Sequence, residues 1–155
     1  MSGRIHTFVT MIGKISISDD GMGNIDGLYL PNCNLPCKED EETPIIAKAA
    51  QQVEEYISGK RKVFDLPLVF EGTEFQKSVW NAMRNIPYGK TESYKDLAER
   101  VGRPKAYRAV GTACSLNPIP LIVPCHRVVA SDGIGGFSCG IVMKKKLMTI
   151  EGIEF

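Results

Sequence analysis

No apolar run in this 155-residue chain approaches the roughly 18 residues with which a helix crosses a bilayer, so a membrane-spanning helix is excluded and a soluble protein is expected. Nothing at the N-terminus has the charged-then-apolar order of a secretion signal. The five cysteines are odd in number and irregular in spacing, which argues against a secreted disulfide framework and for a reducing cytoplasm. Charge of one sign is not in excess: 19 basic residues face 18 acidic ones, a formal net charge of +1, so the whole-chain balance announces no polyanionic partner. No nucleotide-binding fingerprint and no redox-cofactor motif appear.

What is present is 43% hydrophobic residues, enough for one ordinary domain or two small ones. The halves differ in charge. Residues 1–70 carry 7 basic against 10 acidic side chains, a net −3, while residues 71–155 carry 12 against 8, a net +4. An anionic polymer, if bound, therefore meets the second half. The stretches "IHTFVTMIG", "KISIS" and "IDGLYL", punctuated by "DDGMGN", read as an antiparallel meander. Residues 31–42, "PNCNLPCKEDEE", read as a polar loop. Thr43 then caps a helix opened by Pro44, with Ile46, Ala49, Ala50, Val53 and Ile57 on one face and Gly59 as its stop. "KRKVFDLPLVF" returns as an extended segment to a junction near Glu71.

The second half is more regular. Phe75, Val79, Trp80, Met83 and Ile86 fall at helical spacing before "PYGK" turns the chain. A helix is expected from about Ser93 to Gly102, and another from Pro104 to the break at Asn117 and Pro118. Two short helices joined by a glycine-containing turn make a helix-turn-helix candidate. "RVGRPKAYR" sets Arg100, Arg103, Lys105 and Arg108 around the start of the second helix with no acidic residue among them, which suits phosphates or a solvated face. Ala106, Ala109, Gly111, Thr112 and Ala113 leave that helix small-sided, for close approach to a groove wall or to another helix.

Residues 117–129, "NPIPLIVPCHRVV", place Cys125 and His126 after a proline-stiffened approach that keeps the thiol out of a regular central strand. A free thiol is mostly protonated near neutrality, so a reactive one needs a base, a cation or a helix N-terminus, and His126 and Arg127 both offer themselves. Adjacent residues diverge along a strand, so adjacency alone does not establish contact. The other reading is a small buried thiol beside a satisfied histidine.

"PCHRVV", with "NPIPLIV" before it, a glycine-rich loop and "EG" after it, and "FQ..VW", "IPYG", "SY..LA" and "RAVG" in register upstream, closely resembles the O6-alkylguanine-DNA alkyltransferases, or methylated-DNA-protein-cysteine methyltransferases. The resemblance covers essentially all of the second half and the first half only in outline. It implies that a helix-turn-helix grips double-stranded DNA containing O6-alkylguanine, that the damaged base is turned out of the stack, and that a thiolate takes the alkyl group. Residue by residue it makes Cys125 the acceptor, His126 the base acting through a water, Glu151 the acid orienting it and Asn117 the brace of the turn. Tyr94 matches the phenol that protonates guanine N3, and Arg108 the side chain that fills the vacated stack. Arg103, Lys105, Ala106, Ala109 and Gly111 fall on the DNA-binding turn and helix. Gly136, Phe137, Ser138 and Cys139 fall on the substrate loop, with Lys144 on the final helix. Cys139 departs from the family pattern and leaves the range of alkyl groups open.

The expected architecture is α/β (α+β): a small N-terminal antiparallel-sheet-plus-helix domain, residues 1–70, and a C-terminal helical, winged-helix-like DNA-binding domain, residues 71–155. No cofactor is expected. Cys33 and Cys37 in "CNLPC", with His6, have a spacing compatible with zinc, but a fourth ligand is not evident and two loop thiols or an occasional disulfide are the favoured reading. A cytoplasmic monomer, nucleoid-associated in a prokaryote, is expected. Two other functions stay in view: a lesion sensor that binds alkylated guanine without transfer, which typically lacks the acceptor cysteine, and a Cys-His hydrolase acting on acyl groups.

Overall fold

A computed structural model of the chain describes residues 3–137 and 139–155. It divides into two compact units, Met1–Phe70 and Glu71–Phe155. The fold is α+β.

In the first unit, β1 (Arg4–Thr10), β2 (Gly13–Asp19) and β3 (Ile25–Tyr29) form the antiparallel meander, and the sheet order is β3-β2-β1-β4. The β1–β2 register pairs Phe8 with Ile15 and His6 with Ile17. Strand β4 (Glu39–Asp40) pairs parallel to Arg4 and Ile5 of β1, inside a segment read from sequence as loop. Two acidic residues with no apolar alternation carry no strand signal; long-range pairing creates this one. The segment before Glu71 forms no strand; Leu68 makes an isolated parallel bridge to Ile25, whose amide donates to the Pro67 carbonyl at 2.8 Å and whose carbonyl accepts from the Val69 amide at 3.0 Å.

Helix α1 (Pro44–Ile57) starts where its cap dictates, with Thr43 Oγ1 accepting from the Ile46 amide at 3.4 Å and donating to Asp19 Oδ2 at 2.7 Å. Its buried face is Ile46, Ala49, Ala50, Val53 and Tyr56, packed on β1, β2 and β3. Tyr56 takes the place expected of Ile57, which is only half-buried. The tyrosine ring offers more apolar surface, and it packs against Phe64 at 5.5 Å between centroids.

The second unit opens with α2 (Glu74–Arg84), whose capping box joins Thr73 and Gln76. Val79, Trp80 and Met83 bury its inner face, and the Trp80 indole donates to the Ala113 carbonyl at 2.9 Å. Helix α3 (Tyr94–Arg100) has a second capping box, Ser93 with Asp96, and ends where Gly102 takes a φ of 77°. Helix α4 (Tyr107–Ser115) begins three residues after Pro104, not at it. Arg103, Pro104, Lys105 and Ala106 form a turn closed by the Ala106 amide on the Arg103 carbonyl at 2.9 Å, with proline in the favoured second position.

After α4 the chain runs irregularly to a single 3₁₀ turn, Cys125–Arg127, and then to β6 (Val128–Val129), which pairs parallel with β5 (Glu92–Ser93). A loop leads to α5 (Ile141–Ile150), capped at its C-terminus by Glu151. No helix among the described residues is long and apolar enough to cross a membrane.

Candidate active site

Cys125 is presented by a turn that the sequence over-determines. Leu121 adopts a φ of 75°, a region costly for a branched side chain, and is 1% exposed. Asn117 holds that turn from both sides: its Nδ2 donates to the Val123 carbonyl at 2.8 Å and its Oδ1 accepts from the Ile119 amide at 3.0 Å. The Asn117 side chain also hydrogen-bonds the thiol.

A 3₁₀ turn holds three residues, so successive side chains diverge by about 120°. Cys125 lines a cavity of about 300 Å³, together with Tyr94, Gly111, Cys114, Ser115, Gly136 and Phe137. His126 and Arg127 reach instead to Glu151. The His126 Nε2 lies 2.6 Å from Glu151 Oε2, and since a carboxylate only accepts, Nε2 carries the proton and Nδ1 is the basic nitrogen. The Arg127 guanidinium donates to both Glu151 oxygens at 2.9–3.2 Å and to the Ile86 carbonyl at 2.6 Å. The Gly89 amide adds a further donor to Oε1 at 2.9 Å. The sequence offered Arg127 as a cation for the thiol; the structure gives its charge to Glu151.

Burial pushes the Cys125 thiol up to about 11, against the opposing pull of the Asn117 hydrogen bond and the Lys144 charge. The resting thiol is therefore protonated at neutral pH. Burial also lowers His126, with Arg127 and Lys144 acting in the same direction and Glu151 against them, so the ring rests neutral and able to accept a proton. Tyr94, the first residue of α3, is raised by burial and by charge on Cys114 and Cys125, while a hydrogen bond with the Gly136 backbone opposes this. It remains a phenol, and hence a donor.

Lys144 is fully buried on α5 and donates to the carbonyls of Val128 at 2.7 Å and Gly136 at 3.1 Å, fastening the loop to β6. Burial pulls its ammonium down and negative charge on Cys125 or Cys114 pulls it up. Gly135 has a φ of 77°, and a Cβ there would meet the Ala130 nitrogen at 3.0 Å and the Tyr94 hydroxyl at 3.2 Å. Glycine is required at that point for the loop to approach Tyr94.

On the outer face, Arg103, Lys105, Arg108 and Ala109 are exposed, and Ala106 and Gly111 half-buried. Arg103 stacks over Phe75 at 5.8 Å. Arg100 does not belong to this cluster: its guanidinium is held by Glu92 and by the Ala82 carbonyl. Phe137 and Cys139 are half-buried, and Ser138 lies outside the described residues. Cys114 is buried on the cavity wall with its Sγ 3.5 Å from the Met83 sulfur. Among the described residues no group of three or more His, Cys, Asp or Glu is placed to hold a metal ion, and the His6 ring faces Asp40 at 2.6 Å. Reasoning from sequence missed Gly89, Gly135 and Tyr88, whose hydroxyl donates to the Ile150 carbonyl at 3.2 Å. The turn signal "PYG" marked two of them but not their partners.

The family model described as the DNA-binding domain of 6-O-methylguanine DNA methyltransferase matches residues 74–153. The methylated-DNA-protein-cysteine methyltransferase of Methanosarcina acetivorans is 50% identical over 153 residues, covering 94% of this chain and 96% of that protein. The protein of the same name from Methanosarcina barkeri is 49% identical over 144 residues, covering 90% and 91%. Among solved structures, Mycobacterium tuberculosis OGT in complex with DNA matches with a TM-score of 0.89 at 34% identity, over 96% of this chain and 92% of that one.

Proposed function

This chain belongs to the methylated-DNA-protein-cysteine methyltransferases, which repair DNA by direct, stoichiometric alkyl transfer to a cysteine, and from that premise we propose which residues carry the reaction and on what substrate. The substrate is double-stranded DNA containing O6-alkylguanine, and the acceptor is Cys125. The observation that carries this reading is the thiol on the wall of a purine-sized cavity, next in the chain to a neutral histidine held by a buried carboxylate.

The alkyl carbon is inaccessible inside a duplex, so the guanine leaves the stack, at a cost of a few kcal/mol. Arg108, exposed on α4, fills the gap, and Arg103 and Lys105 meet phosphates at the turn. Ala106, Ala109 and Gly111 keep the helix slim enough to approach the groove.

The Cys125 proton passes through a water to His126, and Glu151 stabilises the imidazolium that forms. The sulfur attacks the alkyl carbon, a C–S bond forms, the C–O6 bond breaks, and the electron pair goes to the purine. Tyr94 gives a proton to N3 as that charge develops. The loop from Gly136 through Phe137, Ser138 and Cys139 holds the base, with Lys144 holding the loop. The product thioether resists water, so each molecule acts once. Because the acceptor belongs to the chain and the bonds balance, no cofactor is needed. A monomer suffices, and a reducing compartment, the cytoplasm, keeps the thiol available.

The test is the intact mass after incubation with excess duplex bearing O6-methylguanine, followed by peptide mapping. One methyl on Cys125, saturating at one per chain and absent from Cys125→Ala, is expected. Transfer retained in Cys125→Ala would sink the assignment, and lesion-selective binding without mass gain would make the protein a sensor.

A further inference from the structure

Arg127 has no task in the transfer set out above, yet its guanidinium is among the most heavily bonded groups of the site. It is 6% exposed. Through Nε it donates to both Glu151 oxygens, at 2.9 and 3.2 Å, and through one terminal nitrogen to Oε2 at 3.0 Å. The other terminal nitrogen donates to the Ile86 carbonyl at 2.6 Å, and the group lies 5.7 Å from the Tyr88 ring centroid. Residues 86–89 are thus joined to the 3₁₀ turn, and their Gly89 amide completes the shell of Oε1.

The geometry divides the labour of the carboxylate. Oε1 accepts from the Gly89 amide and Arg127 Nε, and Oε2 is shared between the Arg127 guanidinium and His126 Nε2. A carboxylate facing His126 alone would rotate and would compete for the imidazole proton. A guanidinium fork fixes its plane. The same fixed charge acts on the ring. The charged and titratable groups bearing on His126 are Glu151 at the end of α5, which favours the imidazolium, and Lys144 of α5 with Arg127, which disfavour it. Cys125 precedes it in the turn, and the Arg127 guanidinium lies over the Tyr88 ring.

We propose that Arg127 is a positioning residue of the proton relay: its guanidinium fork clamps Glu151 so that Oε2 meets His126 Nε2–H, and sets a fixed cation across that carboxylate from the ring. The proposal rests on the reading that His126 is the base for Cys125.

The test is the single-turnover rate of methyl transfer from an O6-methylguanine duplex, measured from about pH 5.5 to about 9 in the full chain and its variants. Arg127→Met removes clamp and charge. Its plateau rate falls by roughly tenfold or more, and its acid limb moves to higher pH, because without the neighbouring cation His126 holds a proton more readily and an imidazolium cannot accept the thiol's. Arg127→Lys keeps the charge and loses the fork, so its plateau falls by about tenfold while the limb stays near that of the wild type. Profiles scaled down evenly, with the limb unmoved in both variants, would overturn the proposal.

If Arg127→Met does not fold, Arg127→Lys on a Glu151→Gln background decides. A residue acting through Glu151 costs less than about twofold there, and an undiminished tenfold loss would overturn the proposal. The two levels fail separately. Methyl transfer retained by Cys125→Ala removes the functional reading itself, whereas an inert Cys125→Ala with unshifted profiles removes only the role of Arg127.

Discussion

Replacing Glu151 by alanine removes the acceptor on which the Arg127 fork, the His126 ring and the Gly89 amide converge. Arg127 is then left in the interior with one carbonyl partner, that of Ile86. Breaking a buried ion pair by deleting one member costs about 3–5 kcal/mol, because the surviving charge is uncompensated. Gly89 is only half-buried, so water entering the vacated space satisfies its amide, and the middle of that range, about 4 kcal/mol, is expected. With a urea dependence of about 2 kcal/mol/M, the unfolding midpoint drops by about 2 M. Equilibrium urea unfolding at neutral pH, followed by Trp80 fluorescence, measures it. The double replacement Glu151→Leu with Arg127→Met removes both charges and recovers most of the loss in stability while leaving transfer impaired. A midpoint loss under about 0.5 M at unchanged slope for Glu151→Ala would refute the argument, by showing that water solvates Arg127 in place.

Asn117→Ala deletes two backbone hydrogen bonds of the acceptor turn and one to the thiol. Since that last bond favours the thiolate, the pH midpoint of Cys125 labelling by iodoacetamide moves upward, and stability falls by about 1–3 kcal/mol; an unmoved midpoint counts against the brace. The buried thiols also make stability fall in alkali. Burial holds Cys125 at about 11 and Cys114 at about 12 in the fold, whereas an unfolded thiol titrates near about 8.5, so above that pH the folded state binds more protons. The free energy of unfolding is undiminished by these groups below about pH 8.5 and declines toward about 11. Methylated protein, with Cys125 no longer titrating, shows a shallower decline. Denaturant melts of the two forms giving the same slope against pH would remove Cys125 from this account.

Where structure follows from neighbours in the chain, the sequence was readable. Thr43 and Ser93 start their helices and Gly102 ends one, because a cap is a hydrogen bond across two or three residues. Pro104 misled for the same reason: proline suits the second place of a turn as well as the first turn of a helix, and the closing bond from Ala106 to Arg103 decides between them. Strand β4 was invisible, since its pairing with Arg4 and Ile5 spans more than thirty residues. Arg100 looked like part of a basic face until Glu92 and the Ala82 carbonyl claimed it.

By itself the sequence determined the family, through a run of motifs in register over its second half, and with it the proposal of Cys125 as acceptor and His126 as its base. The motifs name residue types at fixed separations, and chemistry that depends on a single nucleophile leaves its mark there. Tertiary structure alone decided what Cys125, His126 and Arg127 face. One 3₁₀ turn sends the first into a cavity and the other two to a carboxylate more than twenty residues further on. It also decided that the thiol rests protonated and the histidine neutral, because burial and the charges of Glu151, Arg127 and Lys144 act through space, where sequence separation has no bearing.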